Sequence, residues 1–537
     1  MSDQMWKKIV VAASLCLVIA ALTVAAFVLL KDDKQVYTGE SFNMSLSKPL
    51  FISVKEAEVT ERSIENVEDI IHTSELSLLG FDIGTYELTE RTLGNGTQFI
   101  FERFTNDSTF ALPLATAVTG LGETDYKDWN PVVVEHEYHK DFGTDPTVNP
   151  FGKVEYDGGE ILQGNVYIST QMEMEYENGD SSYVRELQEE VRNVELQDDS
   201  IEKSFWLQKN EIAESWLLVS EEALFDSAEV EDDWIDYALH NQTQQLNWLT
   251  SDGPYTKLPH SIEPYTPLGY GRSIGRFEDN VSLRWNTNTP SIFFESMILN
   301  SRSNLINYFD EYDGTRWPTE YTSTWLKDQY DITASYVDTR FNEYVAFYLD
   351  HTAELYDEDI EQEEFAVEVY ADYLLSRIEV GETIEAGEGF LIVDYFDEDP
   401  ETPITHASLN HELGGLKILL AAYGNSKEDK YLDAANKVVT GIEYFGQRDG
   451  GWIRDTGDLW YQVSPDGTFD GKDYPHLTLI DLLETQALFE ELGMEQNDYF
   501  NEMIDSKLDY VKSEDIQLND KAIELLQERN ISYLEAS

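Results

Sequence analysis

The chain has 537 residues, 41% of them apolar and 12% aromatic, enough to build two or three cored domains, which excludes disorder for most of its length. It carries 105 acidic residues against 36 basic ones, a net charge of −69 spread along the whole sequence. This balance excludes nucleic acid as a partner, because no basic footprint exists to displace phosphate counterions. It suits a halophile's exported protein, since about 1 M salt shortens the Debye length to roughly 3 Å and screens the self-repulsion.

Residues 9–30, "IVVAASLCLVIAALTVAAFVLL", carry no charge. As a helix rising about 1.5 Å per residue they would span roughly 33 Å, enough for a bilayer core. Lys7 and Lys8 precede the stretch and "KDDK" follows it. The expectation is a cytoplasmic stub and uncleaved anchor over 1–35, a cell-membrane, single-pass protein with the bulk of the chain extracellular. The one cysteine, Cys16, lies inside this stretch, so the rest of the chain forms no disulfide of its own.

From 36 to 200 the pattern is that of strands. "NVYISTQMEMEYENGD" sets Val166, Ile168, Thr170, Met172, Met174 and Tyr176 on one face and ends in an Asn-Gly turn. "QFIFERF" and "PVVVEHEYH" read the same way, and a β-sandwich-like domain is expected. His136 and His139 of "HEYH" would face opposite sides of a strand, unlike the HExxH zinc helix. Residues 201–275 read as a helical segment, from the spacing of Trp216, Leu217, Trp234, Ile235, Ala238 and Leu239, followed by a Pro/Gly-rich linker.

Over 276–537 the period becomes 3.6, as in Leu409, Leu413, Leu416 and Leu420, or Tyr431, Ala435, Val438, Ile442 and Phe445. Short turns with Gly at the helix end, "YGNSKEDKY" and "ELGMEQNDYF", alternate with long polar and aromatic connections at 380–404 and 446–475. That alternation describes a C-terminal α/α toroid of paired helices, open where the long loops gather. The expected fold class is α+β multidomain: an N-terminal transmembrane helix, the β-sandwich-like domain and the toroid.

Three segments would meet at the open end. "SYVDTRFNEY" brings Tyr336, Asp338 and Arg340; "YFDEDPETPITHASLN" brings Tyr395, Glu398, His406 and Asn410; the stretch 450–479 brings Trp452, Arg454, Tyr461, Tyr474 and His476. Aromatic faces stack on pyranose rings while polar forks hold hydroxyls and carboxylates, so the expected ligand is a glycan. His406 and His411, five apart, are read as packing or capping rather than metal binding, and "DGTFDGKD" lacks the EF-hand spacing. No metal and no cofactor are expected.

The order "EDPETP", "LN" at a helix start, "GGWIRD" and "DYPHLTLIDLLETQAL" resembles the C-terminal helical domain of the heparan-type D-glucuronyl C5-epimerases. Glu398 with Pro400 and Pro403, the frame of Gly451, Ile453 and Asp455, and Asp473 with Tyr474 match the family's pattern. Asp399 and Arg454 stand where the family has tyrosines, and Pro475 where it has a histidine, with His476 one place on. The resemblance implies an epimerase acting on a uronic-acid-containing polysaccharide.

The residues themselves can serve that chemistry. Inverting C5 needs a base, a donor for the enolate-like intermediate and a carboxylate clamp. Glu398 or His476 can be the base, Tyr474 the donor, and Arg340 or Arg454 the clamp. The same parts serve a polysaccharide lyase. A hydrolase would instead pair Asp338 with Glu398 or Asp455. With two family tyrosines replaced, a non-catalytic glycan-binding or cell-envelope structural protein is the alternative.

Overall fold

A computed structural model describes residues 31–531 except 40, 135–144, 193, 198, 357–365, 400–401 and 449–450. His136 and His139 lie outside the described residues. The chain divides into two compact units, one running to Met174 and resuming over Tyr183–Asn307, the other formed by Glu175–Ser182 with Tyr308–Ser537.

In the first unit, a five-stranded antiparallel sheet contains Lys31–Thr38, Asn43–Pro49, Leu112–Thr119 and Ser200–Leu207. A larger sheet runs through Val67–Leu78, Phe81–Thr92, Gln98–Asn106 and Glu211–Ser220. One apolar core takes Met44, Leu46, Leu114 and Phe205 from the first sheet and Leu76, Leu88, Phe104 and Leu217 from the second, the layering of a β-sandwich. The helices of this unit are α1 (Ala228–His240), α2 (Asn280–Asn288) and α3 (Ile292–Glu311).

The stretch after 201, expected to be helical, forms two strands before α1 begins. Glu211–Ser220 is buried on both faces from Ala213 onward, so it shows no alternation, and its short apolar run from Trp216 to Val219 fits strand or helix equally. Ser227 then caps α1, accepting from Val230 N, and the helical spacing of Trp234, Ile235, Ala238 and Leu239 holds there.

The second unit contains α4 (Thr324–Tyr330), α5 (Thr339–Tyr356), α6 (Ala366–Glu379), α7 (Leu409–Ser426), α8 (Asp429–Gly446), α9 (Leu477–Glu491), α10 (Asp498–Ser513) and α11 (Asp520–Glu528). Helix α7 packs against α5, α6, α8 and α9 and is buried on nearly every side. Its partner α8 buries one stripe, through Tyr431, Ala435, Val438, Ile442 and Phe445. This alternation of an all-round buried helix with an amphipathic one makes two helical layers. The turn between them differs from expectation. Helix α7 continues past Gly424, and Lys427 takes the left-handed C-cap at φ +60°.

The expected transmembrane helix at 9–30 lies outside the described residues. Among the described residues, no helix is long and apolar enough to cross a membrane. Even α7 carries Glu412 and Lys417 among its buried positions. The fold class is corrected to what the described residues form, a β-rich unit and a helical unit, with no transmembrane helix among them. The single-pass cell-membrane localisation and the membrane partnership through residues 9–30 are likewise not supported by the described residues.

Candidate active site

Two short strand pairs bring the sequence's three polar segments to the start of helices α5 and α7. Val337–Asp338 pairs with Tyr395–Phe396, placing Asp338 opposite Tyr395. Ala407–Ser408 pairs with Trp460–Val463, placing Ser408 opposite Gln462. Asp338 directly precedes α5, and its Oδ1 accepts from the backbone N of Arg340 (2.9 Å) and Phe341 (3.1 Å), the role of an N-cap. Ser408 directly precedes α7.

Asp394 ties the two helix starts together. Its carboxylate accepts from Ser408 N at 2.6 Å, from Ser408 Oγ and from His406 Nε2 at 3.1 Å. Its carbonyl accepts from Thr339 N at 3.0 Å, and its N–H donates to the His406 carbonyl at 3.0 Å. Burial alone would raise the Asp394 pKa, but the charge of His411 and the bonds from His406 and Ser408 outweigh it and hold the group below its ordinary value. It is a buried carboxylate fixed in its ionised form.

The two histidines differ in what they leave open. His406 is engaged at both nitrogens, by Tyr330 Oη at 2.9 Å and by Asp394. His411 shares a bond with Thr339 Oγ1 through Nδ1 at 2.8 Å, while its Nε2 stands 3.7 Å from Asp394 Oδ2, beyond hydrogen-bonding reach. Asp338 is the cluster's second acid. Burial raises its pKa, opposed in part by the charge of His411. Among the described residues only its Oδ1 is bonded.

Aromatic rings line this cluster. Tyr395 lies edge-on to Tyr336 (5.9 Å), to Trp325 (5.5 Å) and to His406 (6.0 Å), and is tilted against His411 at 6.0 Å. Burial drives the Tyr336 and Tyr395 hydroxyls well above the ordinary tyrosine pKa. Tyr461 is likewise pushed up by burial and by the Asp394 charge, and lies edge-on to Tyr474 at 5.6 Å. These phenols stay protonated and donate.

Of the residues singled out in the sequence, Tyr336, Asp338, Tyr395, His406 and Tyr461 come together, and half-exposed Tyr474 sits against Tyr461. The others go elsewhere. Glu398 is an exposed loop acid ion-paired with Arg316. His476 pairs through Nε2 with the Gln517 carbonyl at 2.8 Å. Trp452 is buried, donating to the Ile442 carbonyl at 3.1 Å. Arg454 lies over the Trp460 ring at 4.7 Å and 3.8 Å from Asp458. Arg340 is held by Glu343 (2.6 Å) and Asp481 (2.9 Å), and also donates to the Asn410 carbonyl at 3.1 Å. Asn410 thus enters this ion-pair network through its backbone.

Sequence reasoning missed Asp394 and gave His411 only a packing or capping role. Asp394 stands immediately before the stretch that drew attention, and among 105 acids nothing in its local pattern marks it. Its neighbour Tyr395 was the available signal. Among the described residues, no group of three or more His, Cys, Asp or Glu side chains is arranged to hold a metal ion.

No family model matches the chain, and no curated protein matches it. Among solved structures it is similar to a D-mannose isomerase at 14% identity and TM-score 0.31, covering 45% of this chain and 59% of that one. A cellobiose 2-epimerase from Spirochaeta thermophila DSM 6192 gives 15% identity and TM-score 0.30, covering 45% and 58%. A family 76 glycoside hydrolase from a bovine Bacteroides thetaiotaomicron strain gives 12% identity and TM-score 0.35, covering 76% of both chains. The chain thus spans under two thirds of the isomerase and of the 2-epimerase. By their names these neighbours are carbohydrate-processing enzymes. No glucuronyl C5-epimerase family model is matched.

Proposed function

We propose that the second unit is a carbohydrate-active enzyme that transfers protons at a sugar carbon beside a carboxyl or carbonyl group, with Asp338 as the acid and His411 as the base. The observation that supports this reading is the pair of open valences. His411 Nε2 and the second oxygen of Asp338 are free of hydrogen-bond partners among the described residues, inside a buried cluster walled by Tyr336 and Tyr395. An acid whose pKa burial raises, beside an imidazole oriented by Thr339, is the pairing that proton abstraction and return require.

In this reading, Asp394 does not touch the substrate. Its carboxylate already accepts from Ser408 and His406, so it fixes the helix starts and provides a negative counter-charge for a protonated His411. That argues against a two-carboxylate hydrolysis, in which the second acid must reach the sugar or its attacking water. Tyr461, edge-on to Tyr474 at 5.6 Å, would in this reading donate to an enolate-like intermediate, with Tyr474 stacking on the sugar.

The finer form of the proposal is C5 epimerisation within a uronic-acid-containing polysaccharide, as the resemblance in the sequence implies. Arg340 and Arg454 have partners of their own, so in this reading neither clamps the uronate carboxyl. Incubation in heavy water with glucuronic-acid polymers and with free reducing sugars tests both levels. Deuterium at C5 of the polymer supports the epimerase, deuterium at C2 of a reducing sugar supports the broader class alone, and unsaturated products indicate a lyase. Tight glycan binding without exchange in any of them contradicts enzymatic turnover and leaves a binding protein.

A further inference from the structure

The first unit holds a cavity of about 380 Å³, its open side included, at the small end of the range of about 300–1,000 Å³ found for small-molecule sites. Four aromatic rings help to wall it: Trp129, Trp216 on strand Glu211–Ser220, Trp234 on α1 and Phe293 on α3. Phe293 lies edge-on to Trp129 at 5.6 Å and tilted against Trp234 at 5.5 Å, and none of the four rings is more than 4% exposed. Walls so deeply buried suit a ligand a few carbons long rather than a glycan chain.

Three buried polar atoms on this wall have no hydrogen-bond partner: Trp234 Nε1, Asn149 Oδ1 and Asn247 Nδ2. The groups around them are satisfied. Trp129 Nε1 donates to Glu231 at 3.1 Å, Trp216 Nε1 to the Asn247 carbonyl at 3.0 Å, and Asn149 Nδ2 to the Trp129 carbonyl at 3.4 Å. An unpaired buried donor or acceptor costs folding free energy, so three of them on one cavity, amid satisfied neighbours, point to a missing partner.

The chemistry of the three atoms narrows what that partner is. Two N–H donors need an acceptor, which an ammonium group lacks, and the amide oxygen needs a donor, which a carboxylate lacks. No Lys, Arg or His is among the described residues that line the cavity. Asp279 lines it too, but both its oxygens are taken by Ser282, through N at 2.9 Å and Oγ at 2.7 Å. Hydroxyl groups accept and donate at once, and the rings pack on the carbons between them. We propose that this cavity binds a short neutral polyol of three or four carbons, held through its hydroxyls by Trp234, Asn149 and Asn247. A single buried water could meet the same atoms, and the test separates the two.

The test follows the indole N–H resonances of the full chain, which has eleven tryptophans, in heteronuclear spectra. The resonance of Trp234 is the one lost in Trp234→Phe. Glycerol or erythritol, titrated to about 100 mM, a range wide enough for a ligand of so few atoms, should move it saturably while indoles remote from the cavity stay in place. Asn247→Leu and Asn149→Leu should each weaken that binding roughly 10-fold or more, and either variant suffices if the other fails to fold. A Trp234 resonance that neither polyol moves would leave the cavity to water and overturn the proposal. A saturable shift that the leucine variants leave unchanged would overturn it too, as would choline binding as tightly as the polyols.

Discussion

Two buried charged clusters in the helical unit use similar side chains and come out differently. In the first, Arg340 meets Glu343 and Asp481, and Lys417 meets Glu343 (3.0 Å), Asp481 (2.9 Å) and Glu484 (2.8 Å). Burial alone would lower both cations' pKa values, but Glu343 and Asp481 more than offset it and raise them. In the second, Asp394 is equally enclosed, yet Asp338 and His411 beside it each keep an atom unbonded. Opposite charges that answer one another hold helices in place. The first cluster keeps unbonded atoms too, Arg340 Nε and Asp481 Oδ2, so the proposed site is set apart by its wall of aromatic rings rather than by open valence alone.

The largest effect that would sharpen this comparison is on catalysis. Replacing Asp338→Asn keeps the oxygen that caps α5 but removes the acid, so turnover should fall by roughly 100- to 10,000-fold while the thermal midpoint barely moves. Lys417→Met should do the reverse. It leaves Glu343 and Asp481 short of a buried partner, and urea titration should show a loss of about 3–5 kcal/mol. Should Lys417→Met abolish turnover with no loss of stability, the division between the clusters would be broken.

A smaller effect depends on pH and lies in the first unit. Glu278 is buried, its pKa pushed up to about 8 by burial, and its Oε2 has no hydrogen-bond partner. Because the folded-state pKa is raised, this group's contribution to stability is fully present below the ordinary glutamate pKa and is lost as pH rises through about 8. Glu278→Gln should flatten that loss in melting curves taken across the range. The smallest effect is at the surface. Glu398 is 64% exposed in its pair with Arg316, and Glu398→Gln should change stability by under about 1 kcal/mol.

The helical repeat was legible because packing imposes it on the sequence. The stripe from Tyr431 to Phe445 in α8 is the one that the spacing gives. Strand Glu211–Ser220 was not, because burial on both faces erases the period of two. At the site, Tyr336, Asp338, Tyr395 and His406 could be picked out as polar and aromatic residues just ahead of helices. Asp394 could not, since its importance comes from bonds to Ser408 and His406, 14 and 12 residues away, which no local pattern encodes. Glu398 illustrates the opposite case, an acid in a family-like motif that the fold leaves on the surface with Arg316.

The most direct measurement compares deuterium exchange from heavy water into a responsive sugar by the wild-type chain, Asp338→Asn and Glu398→Gln under identical conditions. The account predicts that Glu398→Gln exchanges at close to the wild-type rate while Asp338→Asn is slowed at least about 100-fold. Loss of exchange in Glu398→Gln with full exchange in Asp338→Asn would contradict it and return the chemistry to the loop.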